Sequence, residues 1–127
     1  DTEPLAGLRR LVEVVEKNTR RRPVVELFTV LAAEATANDH PAHAYFVDRY
    51  RETLIGVTDA YLAAASAGRL RDGVDPLTAA RQLVAVMDGL QLQWLLDDGA
   101  TDMAGIVRAH VDAQLTAALE RRGLSSP

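Results

Sequence analysis

The sequence predicts an all-α protein of about five helices. Three observations carry that reading. Apolar residues recur at three- and four-residue spacing along almost the whole chain. There is no sustained alternation of apolar and polar residues, and no Asn-Gly or Asp-Gly hairpin between β-branched runs; Asp72-Gly73 and Asp98-Gly99 both fall between helical segments. Prolines stand where helices start (Pro4, Pro23, Pro41, Pro76), apart from Pro127 at the end, and glycines stand where they stop (Gly68, Gly99, Gly123).

The chain is 127 residues, 48% apolar and 25% charged, the proportions of one ordinary globular domain with a real core. With no cysteine, disulfides and zinc-thiolate sites are excluded. No apolar run approaches the ~20 residues of a membrane span, and no signal-peptide segment is recognisable, so a soluble cytoplasmic protein with no membrane contact is expected. A net charge of −4 argues against nucleic-acid binding by these residues alone. Basic charge is almost all arginine, Lys17 being the only lysine, which reads as genome composition.

The first helix is expected over Pro4 to Asn18, with Leu5, Leu8, Leu11 or Val12, and Val15 as its stripe. The basic cluster Arg20-Arg21-Arg22 after it reads as dipole complementation at a helix C-terminus plus solvation, with DNA phosphate contact as the alternative. Pro23 restarts the chain, and Val24 to Asn38 repeats the helical period through Val24, Leu27, Phe28, Leu31 and Ala35. Asn38-Asp39-His40-Pro41 is a stop and restart in which Asp39 or His40 caps the longest helix, about Pro41 to Ala67. Its stripe is Phe46, Tyr50, Leu54 or Thr53, Val57, Tyr61 and Ala64.

A polar connection, Arg69 to Asp75, leads to the helix Pro76 to Asp98, capped by Asp75. Leu83, Met87, Leu90 and Trp94 form one face, with Ala80 and Val86 at its edges. The opposite arc should be polar, yet carries Ala85, Gly89, Leu92 and Leu96 between Gln82 and Gln93. A helix apolar nearly all round is buried nearly all round. Gly89 costs about 1 kcal/mol against alanine in mid-helix, which another helix at close range explains. The last helix is expected from a cap at Thr101 or Asp102 to about Arg122. One face holds Val107, Val111, Leu115 and Ala118; a second holds Ile106, Ala109, Ala113 and Ala117, with His110 and Gln114 between. Two consecutive helices with a spare apolar face each are what a four-helix bundle across a two-fold axis requires. A homodimer through Gln82, Ala85, Gly89, Leu92, Gln93, Leu96, Ile106, Ala109, His110, Ala113 and Ala117 is therefore expected.

Catalytic chemistry finds little support. His40-Pro41-Ala42-His43 has the spacing of a short metal clip, but proline and a helix start work against convergence and no third ligand is identifiable; capping and surface roles are preferred, and no metal or cofactor is expected. His110 reads as an interface hydrogen-bonder. There is no phosphate loop, nucleophile elbow or HExxH motif, so the chain is not expected to be an enzyme. What remains is a set of aromatic and soft side chains at helical spacing, each of which is plain core on the simplest view. Together they define an expected pocket between the second, third and fourth helices, lined by Phe28, Leu31, Phe46, Tyr50, Leu54, Met87 and Gln91, with Trp94 near its end. Few charges are available there, which favours an apolar or aromatic small-molecule effector.

One further pattern bears on identity. A long helix opens His40-Pro41-Ala42-His43-Ala44-Tyr45-Phe46 and continues through Arg49-Tyr50-Arg51; Ala67-Gly68-Arg69-Leu70-Arg71 follows before Asp75-Pro76; the next helix carries Met87-Asp88-Gly89-Leu90-Gln91-Leu92-Gln93-Trp94-Leu95-Leu96. In order and spacing this resembles the C-terminal ligand-binding and dimerisation domain of tetracycline-repressor-type (TetR family) transcriptional regulators, over essentially the whole chain. The resemblance implies an antiparallel helical bundle whose last two helices pair across a dimer, an effector pocket among the preceding helices, and DNA contact only through an N-terminal helix-turn-helix head. By the resemblance, residues 1–127 are expected to make up the effector-binding and dimerisation domain, without that head. The competing expectation is a helical dimeric scaffold or adaptor without a small ligand. The resemblance leaves the effector unidentified.

Overall fold

In a computed structural model, residues 3–119 are described. They form α1 (Ala6–Asn18), α2 (Arg22–Glu34), α3 (His43–Ser66), α4 (Pro76–Leu96) and α5 (Met103–Asp112). Among the described residues no strand forms, and the sole extended pairing is an isolated antiparallel bridge between Leu70 and Leu115. The expected all-α fold is what the chain adopts.

The caps are local chemistry. The Asp75 carboxylate accepts from the Thr78 amide at 3.0 Å, and Pro76 occupies the first turn of α4, where a missing N–H costs nothing. Asp102 caps α5 through the Gly105 amide at 3.1 Å. Gly68 ends α3 with φ +70°, a left-handed conformation available to glycine at little cost, and the Arg69 amide folds back to the Ala64 carbonyl at 2.9 Å. The long helix starts at His43 rather than Pro41: His40 Nδ1 accepts from the Ala42 amide at 3.0 Å, so His40 caps the turn that precedes the helix.

The core lies between α1, α3, α4 and α5. Leu8 and Val12, Val57, Tyr61 and Ala64, Ala80 and Leu83, and Met103, Val107 and Val111 meet there, each essentially without exposed surface. Their spacings of three and four residues are the stripes of four amphipathic helices turned inward. Gly7 brings α1 against α3: a Cβ at that position would stand 2.8 Å from the Ala60 Cβ.

Two expectations are corrected. The inward stripe of α2 begins at Val25, not Val24; Val25 and Ala35 are buried and Phe28 half-buried, while Val24 and Leu27 lie exposed with Val30. Adjacent apolar pairs make both phases equally apolar in sequence, and contact with α4 decides between them. Secondly, α5 ends at Asp112, about ten residues before the expected Arg122. The backbone beyond it is recruited elsewhere: the Arg71 amide donates to the Gln114 carbonyl and the Thr116 amide to the Arg69 carbonyl, both at 2.9 Å. Tyr61 adds a short hydrogen bond from its hydroxyl to the Gln114 side chain. The Asp112 carboxylate accepts from the Leu119 amide at 2.8 Å, which closes the turn. Ala113 is thus a helix cap, and Ala117 lies outside the helix altogether. Arg122 and Gly123 fall outside the described residues.

Candidate functional site

Helix α2 is the least embedded element. It packs mainly on α4, with a smaller contact to α1, and Val25 is the one buried residue within its span. Its two ends are pinned by polar contacts. At the start, the Arg22 guanidinium lies 5.6 Å from the centre of the Trp94 ring, donates to the Leu95 carbonyl at 3.3 Å and stands 3.6 Å from the Asp98 carboxylate. This arginine complements the C-terminus of α4, where a cation meets the helix dipole. At the other end, His43 Nδ1 lies 2.8 Å from the Ala35 carbonyl.

Between these pins α2 spans a cavity of about 250 Å³ that it shares with α3 and α4. Phe28, Thr29, Ala32, Ala33 and Thr36 form one wall, Tyr50 the second, Asp88 and Gln91 the third. The space exists because α2 presents alanine and threonine where larger side chains would fill it. Phe28 is braced edge-on by Phe46, with ring centres 5.2 Å apart, and Phe46 in turn by Tyr45 at 5.1 Å.

The polar groups on the wall are few. Tyr50 donates from its hydroxyl to Asp88 Oδ2 at 2.7 Å. Burial disfavours the charged carboxylate and holds the Asp88 pKa above its usual range, although the Tyr50 hydrogen bond acts in the opposite direction. Burial, then the neighbouring Asp88, push the Tyr50 phenol well above its ordinary value. Thr29 Oγ1 is buried with no hydrogen-bond partner among the described residues.

Of the residues expected to line a pocket, Phe28, Tyr50 and Gln91 do so. Phe46 is buried behind Phe28, and Leu31 is half-buried on α2. Met87 is partly buried and packs against the core, while Trp94 is within the core under Arg22. Leu54 faces a separate shallow groove on α3 and α4 with Ile55, Leu77 and Arg81. The wall, expected to hold few charges, has one carboxylate among the described residues, that of Asp88. Thr29, Ala32, Ala33 and Thr36 escaped the sequence reading, which followed large apolar residues; their i, i+3, i+4, i+7 spacing beside Phe28 was the available signal.

Most of the residues expected to pair across a dimer are exposed in the single chain. Gln82, Ala85, Gly89 and Gln93 are exposed, as are Leu92 at 50%, Leu96 at 79%, Ile106 at 45%, Ala109, Ala113 and Ala117. A Cβ at Gly89 would meet nothing within 4 Å among the described residues beyond its own helix backbone. His110 is half-buried, with Nε2 unpartnered among the described residues. Among those residues no helix is long and apolar enough to cross a membrane, and no group of metal-ligating side chains converges.

Comparison with curated proteins and with solved structures finds no match. Comparison with family models does: the one described as the C-terminal domain of BetI-type transcriptional repressors matches residues 4–119. With the five-helix fold, this places the chain in that family, as the C-terminal domain of a TetR-family transcriptional regulator.

Proposed function

We propose that this domain senses a small effector with an apolar or aromatic body, dimerises, and adjusts DNA binding by a helix-turn-helix head elsewhere in the regulator. The family is one of regulators and not of enzymes. The observation that carries the sensing role is the cavity bounded by α2, α3 and α4, apolar over most of its wall with a few convergent polar groups. Self-association has separate support. Leu92, Leu96 and Ile106 leave an apolar face uncovered, and Gly89 gives it a flat approach. Two copies meeting on α4 and α5 would cover that face on both at once, as a two-fold interface does.

An effector changes DNA affinity only by binding two arrangements of the domain unequally, and couplings of about 1–3 kcal/mol are typical. Helix α2 is the element suited to differ between them, being pinned at its ends and weakly buried between. The test is a melting and sedimentation study of residues 1–127 against a panel of small aromatic compounds, with Ala32→Phe as the cavity-filling control. A dimer whose melting temperature rises with ligand, and whose Ala32→Phe variant does not respond, is the expected result. A dimer indifferent to every compound would favour the scaffold reading, and a monomer at micromolar concentration would remove the pairing role.

A further inference from the structure

We propose that the cavity selects a protonated amine that still carries N–H donors, on a body of one aromatic ring, with Asp88 and Thr29 as the groups that recognise it. This rests on the reading of the cavity as an effector site and specifies what that site admits. The wall sets an unusual demand. Asp88 brings a carboxylate into a largely apolar space, and among the described residues no lysine, arginine or histidine lines that space to balance it. Tyr50 occupies Oδ2, leaving Oδ1 without a donor among the described residues. Thr29 adds a buried hydroxyl oxygen that is likewise unpartnered.

A buried hydroxyl without a partner is expensive, and the half-buried Asp88 carboxylate has given up part of its hydration against largely apolar walls. A ligand that answers both must bring positive charge and at least two N–H bonds. A neutral alcohol supplies one donor and no charge. A quaternary ammonium supplies charge and no donor, so Oδ1 and the threonine hydroxyl stay unsatisfied. A protonated primary amine supplies both, and Phe28 and Tyr50 add aromatic rings to the same wall, a setting in which cations are favoured. The volume of about 250 Å³ lies just below the ordinary range of ligand sites, which begins at about 300 Å³, and leaves room for a single ring and a short chain.

The experiment is calorimetric titration of the full 127-residue chain with phenethylamine, phenethyl alcohol and phenethyltrimethylammonium. Circular dichroism and melting curves verify that each variant folds. The amine should bind about ten- to a hundredfold more tightly than either partner compound, the range of a charged hydrogen bond. Asp88→Asn should cost the amine about ten- to a hundredfold and the alcohol a much smaller factor, and Thr29→Val should cost the amine less than Asp88→Asn does. If the alcohol or the quaternary ion binds as tightly as the amine, or Asp88→Asn leaves amine affinity intact, the amine proposal falls and the effector cavity stands. If none of the probes binds, or Ala32→Phe leaves their binding unaltered, the cavity itself is not the site and both readings fall.

Discussion

Tyr50 and Asp88 face each other across α3 and α4, joined by a 2.7 Å hydrogen bond on the wall of the cavity. The carboxylate is held there at a cost. Its pKa lies above the ordinary value chiefly because burial disfavours charge. The folded chain therefore binds a proton at Asp88 more readily than the unfolded chain does. Its contribution is most favourable below the ordinary carboxylate pKa and is lost as pH rises through the folded value. Asp88→Asn should accordingly melt higher than wild type at neutral pH, the gap closing as pH falls below about 4. Melting curves across that range check it; a variant less stable at neutral pH would show that the Tyr50 hydrogen bond outweighs burial.

Asp75 and Asp97 should behave in the opposite sense. The Asp75 pKa is lowered first by the Thr78 amide it caps, and that of Asp97 first by the Thr101 hydroxyl, with the Thr101 and Ala100 amides adding to it. Their stabilising effect is present above the ordinary carboxylate pKa and disappears as pH falls through the lower folded values. Asp75→Ala and Asp97→Ala should each lower the melting temperature at neutral pH and flatten its fall under acid. Acid titration of both variants beside wild type decides this.

Gly7→Ala sets helix propensity against packing. Alanine gains up to about 1 kcal/mol over glycine inside a helix. At this position its Cβ would stand 2.8 Å from that of Ala60, and overpacking costs about 1–3 kcal/mol. Packing should win, so urea denaturation should show a net loss. Ala60→Gly in the same chain should recover part of it.

Gly89→Leu separates folding from association. Beyond its own helix backbone, a Cβ at this position would meet nothing among the described residues within 4 Å, so the fold should tolerate leucine and gain helix propensity. Across a close dimer contact the same side chain overpacks by about 1–3 kcal/mol, a loss of roughly five- to a hundredfold in self-affinity. Sedimentation equilibrium measures the second effect and thermal melting the first. Unchanged self-affinity would move the interface away from this face.

Residues 1–127 alone should show no sequence-specific DNA binding, since their formal charge is −4 and the family match concerns the C-terminal domain. Gel retardation at physiological salt tests this, and a protected site on a defined duplex would contradict it.

Much of this protein was readable from local rules. Helix periodicity and the caps at Asp75, Asp102, Gly68 and Gly99 act over a few residues, so the elements and most of their limits follow from sequence alone. The open arc from Ala85 to Leu96 was legible for the same reason, as was a cavity near Phe28, Tyr50 and Gln91. Other features belong to tertiary structure. Whether Val24 or Val25 turns inward depends on α4, because both are valine. The end of α5 at Asp112 depends on Arg69 and Arg71 offering hydrogen bonds to a segment some forty residues away in sequence. In the sequence Asp88 stands only as a polar residue at the border of an apolar helix face; its place on the cavity wall is fixed when α3 brings Tyr50 to it and small residues on α2 leave the space open. Periodicity records how apolar each side of a helix is; which neighbour covers that side, and what room is left, is decided only when the helices meet.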